Sequence, residues 1–364
     1  MSGVKKSLAL AVVLLLLLYL YSPPQVTQSD TVLKEVQGII KADQAIRNLS
    51  FKQEPRIIVI TKAQAVQMWK ASNPDLNAIR MKEAIYKMTL LVPENYSLIK
   101  TKEEQAAGWI AATMGDRIYI IRENFLGSPA VAERTIAHEL VHVLQRQWFH
   151  APYNGQTLDQ TLAIRALVEG DADLVADLFC ERRGIPIYKI RSLYTRDPVI
   201  DMGIFPYVFG DPFVRYLYER GGWGLVNRAY RNLPDSAIEI MEPELYLQDF
   251  RPANITLKPP EGFTLIHEDR MGAFYVYLLF WSHGYNNRTA MEISSAWRGD
   301  RLILARNSTH ELLLWKVLFS DKNAAGKFYE LLLRLSMDNR YAEISVSLRG
   351  DYVFLKAVRR IENA

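Results

Sequence analysis

The chain has 364 residues, 23% charged and 49% hydrophobic, enough for one large domain or two moderate ones with a sizeable core. Its net charge of +4 is small for that length and no dense Lys/Arg block occurs, which argues against nucleic acid as a partner. The one cysteine, Cys180 in "DLFCERR", excludes an intrachain disulfide and a cysteine-based metal site, and reads as a small buried apolar residue.

The N-terminus, "MSGVKKSLALAVVLLLLLYLYSPP", holds an uncharged apolar run from Leu8 to Tyr21. That length suits a signal-peptide core and falls short of the roughly 20 residues of a spanning helix. The exit "YLYSPP" offers bulky tyrosines and no small-x-small cleavage site, so residues 1–22 are expected to stay as a single membrane anchor; cleavage would instead release a secreted protein. Lys5 and Lys6 precede the run and no Lys or Arg follows until Lys34, which places the body outside the cytoplasm. Asn-x-Ser/Thr tripeptides at Asn48, Asn95, Asn254, Asn287 and Asn307 agree with that side. Residues 23–33 read as a polar linker.

Residues 34–127 read as an α+β unit with a small antiparallel sheet. "DTVLKEVQGIIKADQAIR" has helical spacing, "PRIIVIT" is a β-branched strand run, and "TKAQAVQMWKAS" and "NAIRMKEAIYKMTLLV" are again helical. "EEQAAGWIAATMGDRIYIIRENF" has two strand-like halves around Gly115-Asp116, good turn chemistry for a β-hairpin.

Next comes "ERTIAHELVHVLQRQ", Glu133 to Gln147, in a run without proline or glycine from Ala130 to Phe149 except for Pro129 just before it, where a first helical turn tolerates it. His138, His142 and Gln145 share one helical stripe, flanked by Arg134 and Thr135; Leu140, Val141 and Leu144 form the packed back. Residues at i and i+4 project the same way, so both imidazoles reach one zinc ion. Glu139 stands about 100° round the helix, beside such a metal, where it can take a proton from water the metal activates. The bland alternative is an amphipathic helix with two solvated histidines.

A catalytic zinc wants a third protein ligand. "HAPYNGQ" breaks the helix, and a second helix is expected from Thr157 to Arg183, stopped by Gly184 and Pro186, so that residues 128–184 form an antiparallel pair. Glu169 and Asp173 lie one turn apart opposite its apolar face. Glu169 can be the third ligand and Asp173 can accept the free N–H of a ligand histidine; alternatively both belong to a solvated face with an Arg165–Glu169 pair. Asp171 fits neither stripe.

These motifs resemble a gluzincin, the zinc metallopeptidase group with His-Glu-x-x-His on one helix and Glu-x-x-x-Asp on the next. "AHELVHVLQ" and "RALVEGDA", with "IRNLSFK", "AAGWIAATMGDRIYII", "FPYVFGDPFVRYLYERGGW" and "AWRGDRLIL", are similar to a family of largely uncharacterised, surface-anchored prokaryotic proteins over roughly residues 40 to 340. The resemblance implies one Zn²⁺ on His138, His142 and Glu169, Glu139 as base, and Asp173 supporting a ligand. It also implies a substrate-pairing edge strand at the cleft rim, for which Trp109, Ala111 and Ala112 are the candidates; an interior strand is the equal alternative. The chain departs from these relatives at Glu242-Pro243, where they carry His-Pro. Tyr207, Tyr246, His267 and His283 are then the alternatives for a transition-state donor.

Residues 185–364 are expected to be mainly helical: "GDPFVRYLYERGGWGLVNRAYRNL" is split by Gly221-Gly222, and Met271 to Trp281 is an apolar core helix. The expectation is thus an α+β, membrane-anchored zinc peptidase acting on peptides or proteins outside the cytoplasm. The alternative is an envelope-anchored binding or structural protein on a catalytically impaired scaffold of the same type.

Overall fold

A computed structural model of the chain describes residues 25–70, 75–105, 111–127 and 129–361. The expected anchor over residues 1–22 lies outside these, as does Trp109. Helix α1 (Gln25–Arg47) already begins at Gln25, so most of the stretch expected to be a linker is helical; no proline or glycine follows Pro24 until Gly38 to prevent it. Among the described residues no helix is long and apolar enough to cross a membrane.

The first sheet contains β1 (Arg56–Ile60), β2 (Ala111–Met114) and β3 (Arg117–Ile121) in the order β1-β3-β2. The hairpin forms as expected: β2 and β3 pair antiparallel across a turn in which Gly115 takes φ +67. The sheet as a whole is mixed, not antiparallel, because β1 runs parallel to β3 in register from Arg56↔Arg117 to Ile60↔Ile121. The reason is the connection: α2 (Lys62–Lys70), α3 (Leu76–Met88) and α4 (Leu98–Gln105) intervene, a crossover long enough to return the chain in the same direction. Among the described residues β2 is an edge strand and not an interior one.

A short α5 (Arg122–Gly127) leads into the helix pair, α6 (Pro129–Phe149) and α7 (Leu158–Arg183), close to the expected bounds. Thr157 caps α7 by accepting Gln160 N–H, and Gly184 ends it in the left-handed region at φ 66. Helix α7 is buried on nearly every side from Leu162 to Cys180, so the Glu169/Asp173 stripe is not a solvated face. Its apolar sides serve two cores. Ala172, Val175 and Phe179 pack with Ile118, Ile136 and Leu140; Leu167, Val168 and Leu174 join Phe205, Phe213 and Phe274.

The crossing helix is α8 (Pro198–Ala229), bent at Gly221 and Gly222, which have non-helical backbone angles as the glycine pair suggests. It meets α7 backbone to backbone: a Cβ on Gly170 would lie 2.1 Å from Gly210 O, and one on Gly210 would lie 2.2 Å from Ala166 O. Only glycine at both positions allows this approach, which fixes α8 against α7 next to Glu169.

The C-terminal part is not mainly helical. After α9 (Ala237–Met241) and α10 (Pro243–Leu247) come β4 (Thr264–Asp269), α11 (Ala273–Ser282), α12 (Asn287–Ser295), β5 (Trp297–Arg306), β6 (His310–Phe319), α13 (Lys322–Met337), β7 (Glu343–Arg349) and β8 (Tyr352–Arg360). The strands form an antiparallel sheet in the order β4-β5-β6-β8-β7. Its central strands carry near-continuous apolar runs, "LILA" and "LLLW", whose lack of alternation hides them from a period-2 search. Helix α11 is the expected buried core helix.

Candidate metal centre

Helix α6 presents His138 and His142 one turn apart toward α7, which presents Glu169 and Asp173. His138 Nε2 lies 3.1 Å from His142 Nε2 and 3.0 Å from Glu169 Oε2, and His142 Nε2 lies 3.5 Å from the same oxygen. A tetrahedral ion bound at about 2.0–2.1 Å separates its ligand atoms by about 3.3–3.4 Å. The three atoms therefore already stand at the corners that a zinc ion needs. Glu139 also comes near, since the ligand atoms of His138, Glu139 and His142 lie within 4.8 Å of one another. Glu169 Oε2, at 3.0 and 3.5 Å from the two imidazole nitrogens, is the candidate for a third ligand.

Each imidazole is fixed from behind. His138 Nδ1 is 3.1 Å from Asp173 Oδ1, and Arg134 Nη2 donates to that carboxylate at 2.7 Å and to Asp177 at 2.8 Å. His142 Nδ1 is 2.9 Å from Gln145 Oε1, and Gln145 Nε2 donates to Val168 O at 2.8 Å and Asp171 Oδ2 at 3.2 Å. Asp171 thereby gains a role: fully buried, it pairs with Arg47 at 2.7 Å and accepts from Tyr230 at 2.7 Å, bracing Gln145. Both N–H groups away from the metal position thus have acceptors, leaving both Nε2 lone pairs for a cation.

The charges agree with that arrangement. Burial works against the imidazolium of His138, but Asp173 and Glu169 outweigh it and raise its pKa to about 10. His142 is also raised, again against burial, by Glu169. Burial would push Glu169 and Asp173 up, yet the histidines hold both below the ordinary carboxylate range, with Arg134 helping at Asp173. The cluster stabilises positive charge where its lone pairs meet, and protons and a metal ion compete for that place.

Glu139 points its Oε2 at Thr113 Oγ1 on β2, 2.6 Å away. Ala111 and Ala112 lie on the same strand. Tyr153, in the link between α6 and α7, donates to Glu169 Oε1; Arg165 holds that link through Tyr153 O at 2.9 Å and Asn154 Oδ1 at 2.7 Å, and so does not pair with Glu169. Tyr207, on α8, lies tilted with its ring centre 6.1 Å from that of His138. Burial first, then Glu169, raises the pKa of both tyrosines, which stay protonated donors. Of the four candidate donors only Tyr207 joins this cluster. Tyr246 donates to Asn232 O, His267 faces Asp269, and His283 bonds to Leu279 O. Glu242 is the joint between α9 and α10.

Sequence reasoning missed Thr113, Tyr153 and the role of Gln145. Gln145 had a signal, three residues after His142 on the same stripe; the other two reach the site through a strand and a loop whose path no spacing gives.

Residues 263–357 match a family described as a domain of unknown function (DUF8575), which covers β4 and nearly all of the C-terminal sheet. His138, Glu139, His142 and Glu169 lie outside the match. No curated protein matches the chain.

Proposed function

We propose that this protein is a zinc-dependent peptidase of the gluzincin type, anchored in the membrane by its N-terminus and acting outside the cytoplasm. The observation that carries the reading is the convergence of His138 Nε2, His142 Nε2 and Glu169 Oε2 within 3.0–3.5 Å of one another beside Glu139. A zinc ion on those three atoms would polarise a scissile carbonyl and lower the pKa of water toward about 7.

The residues divide the remaining work. Thr113 engages Glu139 Oε2, leaving the other oxygen to take a proton from the attacking water and pass it to the leaving amine. Tyr153 and Tyr207 approach from the Glu169 side and can donate to the oxyanion that develops on the carbonyl. Asp173 and Gln145 hold the imidazoles. The two-residue turn makes Met114↔Arg117 the closing hydrogen-bonded pair of the hairpin. Alternation then turns the main-chain groups of Thr113 and Ala111 away from β3, toward an added peptide strand, while Ala112 faces its partner Tyr119.

The test is a broad peptide-library digest with the zinc-loaded protein and its Glu139→Gln variant. Wild type should cleave, and the variant should keep its zinc while losing about 10²–10⁴-fold in rate. Equal rates for the two would remove Glu139 as the base. No cleavage by zinc-loaded wild type would instead favour a binding or structural protein on this scaffold.

A further inference from the structure

The geometry points to a second site, on the open face of the C-terminal sheet, that binds acidic polysaccharide. One face of that sheet is covered by α11 and α13, with Trp315, Val317 and Leu355 buried beneath them. The other is only partly covered, by residues 251–262, which are tied to β5 through Ala253 N–H to Arg298 O at 2.8 Å and Arg301 Nε to Ile255 O at 3.1 Å. Between Leu257 of that segment and β8 a groove of about 320 Å³ remains, floored by Leu314 and Phe354.

Phe354 is the centre of this face. In the register of the sheet it lies opposite Lys316 on β6 and Ser347 on β7; Tyr352, its neighbour on the same face, lies opposite Arg349, and Lys356 lies opposite Ser345. Lys316 Nζ sits 4.4 Å from the Tyr352 ring centre and 5.2 Å from that of Phe354, and the Arg349 guanidinium sits 5.8 Å from Phe354. Two cations therefore flank one half-buried aromatic ring, a third, Lys356, stands two residues along β8 on the same face, and two exposed serines, Ser345 and Ser347, lie on the neighbouring strand.

The pairing of these cations sets them apart. Elsewhere on the sheet Arg301 grips Glu268 at 2.6 Å, and Arg306 and Arg359 share Glu311. Lys316, Arg349 and Lys356 have no carboxylate partner among the described residues. A complementary ligand brings negative charge, a flat apolar face for Phe354 and hydroxyls for Ser345 and Ser347. A sugar ring bearing carboxylate or sulfate has all three. Single-stranded nucleic acid is less well matched: it wants successive stacking platforms along a continuous basic track, and here the cations and rings gather around one groove of about 320 Å³.

The site is independent of the metal centre, and so is its test. Full-length protein in detergent is titrated by calorimetry with oligogalacturonate, with neutral galactose oligomers of the same length and with oligo-dT. Binding to the acidic oligomer alone is expected, weakened about tenfold in each of Lys356→Gln and Phe354→Ala. Lys356 is exposed, so its variant keeps the fold, and an unchanged far-UV circular dichroism spectrum in both checks the rest of the molecule. No binding of oligogalacturonate, equal binding of the neutral oligomer, preference for oligo-dT, or undiminished binding by both variants would each overturn the proposal.

Discussion

Two buried carboxylates, Asp300 in the C-terminal sheet and Glu169 on α7, sit in opposite kinds of surroundings. Asp300 is met by fixed donors on every side: Met271 N–H and Gly272 N–H at 2.8 Å, Trp315 Nε1 at 2.9 Å and Trp297 Nε1 at 3.1 Å. Its oxygens have no capacity left for anything that arrives. Burial raises its pKa and those donors pull it back only in part. Glu169 is as deeply enclosed, but it faces two imidazole nitrogens whose outer N–H groups are already engaged. Burial raises its pKa too, but the positive charge and hydrogen bonds of His142 and His138 outweigh that and hold it well below the ordinary range. One acid ties two strands and a helix start together, and the other faces the two imidazoles of α6 across the helix pair.

The comparison can be broken from either side. Asp300→Ala leaves four buried donors without an acceptor, and should lower unfolding free energy by roughly 3–5 kcal/mol, read by denaturant melts. Zinc per folded chain should be unchanged; loss of zinc from molecules that remain folded would tie the two regions together. Glu169→Ala should act in reverse, with zinc lost while the metal-free protein melts within about 3 °C of metal-free wild type. A much larger drop would make Glu169 a structural acid like Asp300. Asp173→Ala should weaken zinc by about 10–100-fold in chelator competition, since it releases the His138 ring from Arg134 and α7. The smallest effect belongs to Tyr153→Phe: unchanged zinc affinity and about a tenfold lower turnover on any peptide found in the digest, because Tyr207 remains beside the same carboxylate.

The helix pair and its four candidate residues were legible because a helix converts spacing directly into direction. His138 with His142, and Glu169 with Asp173, needed only the 3.6-residue period and the stop at Gly184 to be placed. What spacing cannot carry is which faces meet. Glu169 and Asp173 fitted a solvated stripe as well as a buried one until α6 covered them, and Asp171 had no role until Arg47, more than a hundred residues earlier, reached it at 2.7 Å. The C-terminal sheet escaped because "LILA" and "LLLW" are apolar toward both faces and lose the alternation by which strands announce themselves. The parallel pairing of β1 escaped because it depends on how three intervening helices return the chain.

The central claim is that two imidazoles and one carboxylate hold a single zinc ion. X-ray absorption at the zinc edge, on full-length protein loaded with zinc and dialysed, tests it most directly. Two imidazole nitrogens and a carboxylate oxygen at about 2.0–2.1 Å should appear, with the carboxylate contribution lost in any metal that Glu169→Ala retains. Zinc that dialyses away from wild type, or a spectrum identical in the variant, would contradict the account.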